Sequence, residues 1–328
     1  MSFVFNFFGN SNLKPSTIKQ FNSKLSEWVH YMPTHYQSVI VIITQPTIAM
    51  KVLKSSLCVN TPTNRHIYIV ALLSFFRHCS DALSHFPPET VDNLRQEWCK
   101  IHQENEAPIV QRRLENKPTD GQMKKEGSQL EFDQIIKVRD SLPRGSIERL
   151  LISMYTMIPP VRADYYCCQI VRGEEEASEP NYIRIVTDSH VESVLTDFKT
   201  AKTYFQITNT FPPELITELM ASLEKTPRLY LFVNANGKPH TRNSFTMWSR
   251  RVLTRVLGKD FTLVFFRHIF ATHWILTHDM NTVTDAEIKE VSEKMGHSSE
   301  MFRAYRWVAN GRKGELEVGG EGEGEGED

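Results

Sequence analysis

The sequence predicts two folded domains of different class: an N-terminal all-α bundle, then a mixed α+β, mostly helical domain with a small antiparallel sheet, closed by a disordered acidic tail. Three observations carry that reading. Apolar residues recur at helical spacing through roughly the first hundred residues. Short β-rich runs appear only between residues 182 and 208, with helical patterns on both sides. The last fifteen residues, GELEVGGEGEGEGED, hold seven acids and no base, and have almost nothing to bury.

In the first domain, residues 13–102, Pro15-Ser16-Thr17 reads as a helix start, and Ile18, Phe21, Leu25, Trp28 and Val29 follow with a period near 3.6. Thr47 to Leu53 forms a short amphipathic piece. Arg65 to His78 carries Ile67, Val70, Ala71, Leu73 and Phe75 as an apolar stripe, and Glu89 to Ile101 carries Val91, Leu94 and Trp98. Such helices make a small bundle. Its bases (Lys14, Lys19, Lys24, Lys51, Lys54, Arg65 and Arg77) read as solvated helix faces. Residues 103–128 are polar and contain Pro118, Gly121 and Gly127, which predicts a linker with a short helix around Ile109, Val110 and Leu114.

The second domain, residues 129–313, predicts helices over 130–141 and 146–157. Three strands follow: Tyr182 to Val186, Val194 to Phe198 and Tyr204 to Thr208. The last two flank Lys199-Thr200-Ala201-Lys202 as a tight basic turn. Helices are expected over 213–224, 242–257, 265–277 and 284–295. Residues 314–328 are the tail.

The bulk composition narrows the class. Of 328 residues, 40% are hydrophobic and 23% charged, which reads as soluble and globular. No run approaches a membrane span, so no membrane partner is expected. The opening MSFVFNFFGNSN has neither a basic region nor a cleavage site, so it does not read as a signal peptide. Five cysteines, with no CxxC among them, fit a reducing intracellular compartment. The net charge is −1, but becomes +6 without the acidic tail. A mildly basic body permits a polyanionic partner.

A few residues stand apart from the helix stripes. Arg162 follows Pro159 and Pro160, which break the preceding helix; an arginine there points into a cleft or simply sits in a surface loop. Lys199 and Lys202 lie in the basic turn. Arg267 sits in FTLVFFRHIFATHWI, apolar nearly all round, where a guanidinium is expensive unless it is paired or faces a ligand. His297 follows a glycine, and Tyr305 comes eight residues later. Two arginines, a lysine, a histidine and a late tyrosine suit cleavage of a phosphodiester. Guanidinium groups match the nonbridging oxygens, and the charge of a pentavalent transition state needs fixed donors. A phenolic oxygen can attack phosphorus, and a lysine can protonate the leaving oxygen. No His, Cys or carboxylate cluster shows metal-ligand spacing, so neither a metal nor another cofactor is expected.

PPVRADYY, DFKTAKTYF, VFFRHIFATH and KMGHSSEMFRAYRW, in that order, resemble the successive boxes of the tyrosine recombinases, the phage-type integrases. The resemblance covers about residues 130 to 310. It implies that Arg162 and Arg267 bind the phosphate, Lys199 is the general acid with Lys202 close behind, His297 donates to the phosphate, and Tyr305 is the nucleophile. It also implies that the first domain is a core-binding domain clamping double-stranded DNA, and that a homotetramer acts on two duplexes. The expected reaction is strand cleavage and rejoining through a 3′-phosphotyrosine, for site-specific recombination or integration. Two alternatives are a type IB topoisomerase-like relaxation and a recombinase-derived DNA-binding protein without chemistry. Three departures stand out. Val264 occupies the second-box position where the family has His or Lys, with His268 or His273 as candidate substitutes. The His297–Tyr305 spacing is shorter than usual. The first-box acid, Asp164, comes two residues after Arg162 rather than three. The combination resembles integrase-like proteins of large DNA viruses and eukaryotic mobile elements.

Overall fold

Prolines open four helices of the N-terminal half. Pro15, Pro46, Pro62 and Pro88 each begin one, where a missing N–H costs nothing and the fixed φ favours the first turn. The computed structural model describes residues 6–8, 11–56, 59–124 and 126–305, and divides into two units, Met1–Leu114 and Glu115–Asp328. The acidic tail, with Arg306, Trp307 and Cys58, lies outside the described residues.

Unit 1 contains α1 (Pro15–Tyr31), α2 (Val39–Thr44), α3 (Pro46–Ser55), α4 (Pro62–His78) and α5 (Pro88–Leu114). Its centre is a perpendicular pair of indoles, Trp28 and Trp98, with ring centres 5.6 Å apart. Each buried N–H finds a carbonyl: Trp28 donates to Ala49 at 3.3 Å and Trp98 to Ile43 at 3.0 Å. The β-branched run VIVIIT forms α2 rather than a strand. Ser38 caps it, and burial of Ile42 and Ile43 overrides local propensity. The expected linker over 103–128 needs correction. Helix α5 continues through residues 103–114 despite Pro108, because Asn105 and Ile109 are buried on its inner face. Then come α6 (Asp120–Met123) and a 3₁₀ turn at Glu126–Gln129, where Gly127 lies so close to the Asp260 backbone that a Cβ has no room.

Unit 2 begins with α7 (Phe132–Ser141) and α8 (Ile147–Thr156). Every residue of α8 from Leu150 to Thr156 is buried, so it forms the spine of this core. Tyr155 stacks on Phe266 with ring centres 5.3 Å apart. The sheet runs β1 (Gln169–Arg172), β2 (Asn181–Thr187), β3 (His190–Leu195), β4 (Ile207–Thr210), in that spatial order. It is mixed, not antiparallel as the sequence suggested: β1 pairs parallel with β2, and only β2–β3 and β3–β4 are antiparallel. A short connection suffices because β1 spans only about 13 Å. The Gln169 side chain accepts from Ser178 and Glu179 N–H groups to pin the returning chain.

The basic turn is also corrected. Residues 199–202 belong to a longer connection between β3 and β4 that includes α9 (Ala201–Tyr204). The tight turn lies instead between β2 and β3. The chain then forms α10 (Pro213–Lys225), α11 (Arg242–Leu257), α12 (Leu263–Thr277), α13 (Asp285–Lys294) and α14 (Ser299–Tyr305). Ala271, Ile275, Ile288, Val291, Met295 and Phe302 form a small apolar cluster of their own. It packs α14 against α12 and α13, and thereby positions Tyr305. No helix among the described residues is long and apolar enough to cross a membrane.

Candidate active site

The Pro159-Pro160-Val161-Arg162 segment is held at three points. The Pro160 carbonyl accepts from Arg267 Nη1 at 2.8 Å, the Arg162 carbonyl accepts from the Tyr155 hydroxyl at 2.6 Å, and the Arg162 N–H donates to Asp164 at 3.1 Å. Proline takes the chain out of the helix, and these bonds fix where it goes. The Arg162 side chain then donates to the Gly296 carbonyl at 3.3 Å. Gly296 has φ +70°, and a Cβ there would come within 3.0 Å of Ile207, so both its conformation and its surroundings call for glycine. Its carbonyl also accepts from the Thr200 hydroxyl at 2.8 Å. One glycine carbonyl therefore ties the Arg162 segment and the β3–β4 connection to the turn that carries His297.

Arg267, on α12, is only 1% exposed. Its Nη1 donates to the carbonyls of Pro160 and Met295, at 2.8 and 2.6 Å. Its Nε and Nη2 are buried and unpaired among the described residues. Burial pushes its pKa down; the Tyr305 hydroxyl opposes this and the Arg162 charge adds to it. Tyr305 is thus near enough to stabilise the guanidinium, yet no hydrogen bond of normal geometry reaches Nε or Nη2. No carboxylate pairs with Arg267 among the described residues.

His297 is buried, and its Nδ1 lies 3.1 Å from the Ser298 carbonyl. That bond assigns the proton to Nδ1 and leaves Nε2 a bare acceptor, buried and unpaired. Burial pushes the His297 pKa down to about 3, followed by the charge of Arg267, with Arg162 and His268 adding. Tyr305 ends α14 inside this group. The Arg267 guanidinium lies 5.3 Å from its ring centre, the His297 ring 4.9 Å and the His268 ring 4.4 Å. His268 Nδ1 lies 3.1 Å from the Tyr305 backbone carbonyl, which assigns it as donor there.

The structure therefore brings Arg162, Arg267, His297, Tyr305 and His268 together. Lys199 arrives by its backbone, between the buried Phe198 and the anchored Thr200, with its side chain exposed; Lys202 lies exposed on α9. His273 is elsewhere, stacked on Phe132 with ring centres 4.2 Å apart. Val264 is 46% exposed near the start of α12. Two surface depressions, one lined by Arg144, Glu224 and Lys225 and one by Tyr204, Glu290 and Lys294, contain none of these residues.

Arg242, unlike Asp164, was not singled out by the sequence. Asp164, 2% exposed, accepts from Arg242 at 2.5 Å as well as from the Arg162 N–H. Arg242 in turn lies over the Tyr166 ring at 4.8 Å. An acid two residues after Arg162 was visible in the sequence, but its partner 78 residues away was not.

No family model matches the chain, and no curated protein matches it in sequence. Among solved structures, a lambda integrase fragment, residues 75–356, crystallised as a dimer bound to a COC′ core site, is similar at a TM-score of 0.51 and 15% identity, covering 93% of this chain and 92% of that one. A XerA recombinase is similar at a TM-score of 0.37 and 15% identity, covering 88% of this chain and 94% of that one. The likeness to the lambda integrase fragment shows a shared fold.

Proposed function

We propose that the chain is a DNA strand-cleaving and rejoining enzyme of the tyrosine recombinase type, with Tyr305 as nucleophile. The fold alone does not settle activity; the site supports it. The observation that carries the reading is Arg267, a buried guanidinium with two unpaired donors and no carboxylate, beside the unpaired Nε2 of His297. Buried guanidinium donors are costly in a folded protein unless an anion completes them, and an anion there also favours protonation of His297 Nε2, which then donates to it. A phosphodiester between Arg162, Arg267 and His297 supplies that anion and lies beside the Tyr305 ring.

The chemistry follows from the atoms. The Tyr305 phenolic oxygen attacks phosphorus, the bond to the 5′ oxygen breaks, and the 3′ phosphate stays on the tyrosine. The phenolic proton passes to a base, and His297 Nε2 is a free acceptor in the resting state. Bound phosphate lets His297 hold that second proton and donate to the transition state. The leaving 5′ oxygen takes a proton from Lys199, whose exposed side chain sits on a connection anchored at Thr200. A 5′-hydroxyl of another duplex reverses the step. The ester keeps the bond energy, so no ATP is consumed. The lambda integrase fragment is a dimer bound to a COC′ core site; for this chain we propose double-stranded DNA as partner, unit 1 as a core-binding domain that contacts it, and a homotetramer on two duplexes. Origin in a virus or mobile element is part of the same proposal.

The test is a nicked duplex library whose short strand diffuses away after cleavage. Wild type and Tyr305→Phe are run on denaturing gels, with and without EDTA. A covalent protein–DNA band in wild type alone is expected. DNA binding without any band would overturn the enzyme and leave a recombinase-derived binding protein.

A further inference from the structure

We propose that unit 1 carries a divalent-metal site of zinc-like preference, built from His66 on α4 and His102 and Glu106 on α5. The sequence reading expected no such cluster. One ligand atom from each residue lies within 4.8 Å of the other two. Metal–nitrogen and metal–oxygen bonds of about 2 Å place two ligands of one tetrahedral ion about 3.3 Å apart. Small side-chain rotations close the difference, since His102 Nδ1 is already 3.7 Å from Glu106 Oε2 and the two imidazole centres are 5.1 Å apart.

Three features separate this cluster from a chance ion pair. The first is spacing: His102 and Glu106 are four residues apart on one helix, so they share a face, and His66 meets that face from the other helix. The second is an orphan: His66 Nδ1 is buried and unpaired among the described residues. An unpaired imidazole nitrogen beside a second imidazole and a carboxylate is what a borderline metal ion completes. The third is rigidity. Arg65 Nε donates to Asn105 Oδ1 at 3.1 Å, and Asn105 Nδ2 donates to the Pro62 carbonyl at 2.9 Å. Arg112 donates to Thr63 Oγ1 at 3.1 Å. These bonds lock the register of α4 on α5 one residue before His66 and between His102 and Glu106.

Three protein ligands leave a fourth position for water or another donor. The ligand set carries one negative charge, and Arg113 is close enough for its positive charge to act on His66. That combination describes an exchangeable ion clasping two helices, not a permanently buried one. The ligand chemistry is two imidazoles and a carboxylate, which favours zinc, cobalt or nickel over calcium or magnesium.

The test titrates the full chain with Co²⁺ and follows the visible bands of tetrahedral cobalt, then displaces it with Zn²⁺. One equivalent is expected, with a rise in thermal midpoint under Zn²⁺ and none under Mg²⁺. His66→Gln and Glu106→Gln should each weaken binding at least about tenfold while far-UV circular dichroism without metal stays unchanged. Glu106 sits at the edge of the cluster, so its variant keeps the test valid if His66→Gln fails to fold. Absence of the bands in wild type, or bands persisting at unchanged affinity in either folded variant, would overturn the site and mark any residual binding as adventitious.

Discussion

Two arginines, one in each unit, are nearly withdrawn from solvent, and the chain treats them in opposite ways. Arg65 is 9% exposed; it donates to the Asn105 amide and to the Asn60 carbonyl, and no buried nitrogen of it is left unpaired. Arg267 is 1% exposed and keeps two buried nitrogens without partners among the described residues. The first is finished by its own fold and joins two helices. The second is left incomplete by the described residues, which is what the proposed phosphate site requires. An incomplete buried charge costs stability, and a fold keeps one where a ligand makes up the difference.

Methionine at each position separates the two roles. Arg267→Met is expected to lower the rate of covalent complex formation by about 10²–10³ or more, since it removes preorganised donors from the transition state. Its effect on stability is the smaller one: two carbonyls lose a donor, but a buried charge with unpaired nitrogens disappears. Arg65→Met should do the reverse. It leaves the Asn105 and Asn60 acceptors without their donor and costs about 2–3 kcal/mol in urea unfolding, while cleavage per folded molecule holds. Equal destabilisation at both positions would make Arg267 a structural residue and break the comparison.

The same contrast explains what the sequence could disclose. Helices α1, α4, α10 and α11 follow from apolar periodicity and proline punctuation, because one face of each packs on a core, and α8 and α12 follow from apolar runs buried on nearly every side. Arg267 was conspicuous because a cation interrupts an apolar run, and Arg162 because two prolines precede it. Its opposite number was not. Arg65 read as one base among many on solvated faces, since its burial depends on Asn105, forty residues away on α5. The four-residue strand β1 is too short to show alternation. The VIVIIT run forms a helix because tertiary burial overrides β-branching. The Asp164–Arg242 pair and the meeting of His66 with His102 and Glu106 arise only when segments distant in sequence pack.

Acid should expose the same incompleteness. Burial pushes His297 down to about 3, with Arg267 next in effect. Burial likewise pushes His268 down to about 4; its bond to the Tyr305 carbonyl opposes the shift and the Arg267 charge adds to it. Both rings titrate near 6.5 when unfolded. The unfolded chain therefore takes up protons that the folded chain refuses. The stability tied to these rings is full above about pH 6.5 and is lost as pH falls toward 4 and then 3. At pH 5 the loss is on the order of 2 kcal/mol for each ring. Urea midpoints from pH 7.5 to 5 should fall, and His297→Gln should flatten the slope, with His268, the half-buried His66 and the buried His240 keeping the remainder. A slope unchanged by that substitution would remove His297 from the buried cationic group.

The smallest expected effect concerns Val264. It lies three residues before Arg267 on α12 and is 46% exposed, so a histidine there meets solvent rather than the core. Stability should stay within about 0.5 kcal/mol of wild type. Valine can neither give nor take a proton, and the resting His297 already offers one acceptor nitrogen to the site. If that nitrogen carries the proton transfer alone, Val264→His leaves the cleavage rate and its pH profile where they were. If the chain runs slowly for want of a second carrier, the substitution raises the rate and adds an inflection near pH 6.5. Because folding is barely touched, the rate reads the chemistry directly. An unchanged profile would show that the Arg267–His297 group is complete once phosphate is bound, and a new inflection would show that it is one proton carrier short.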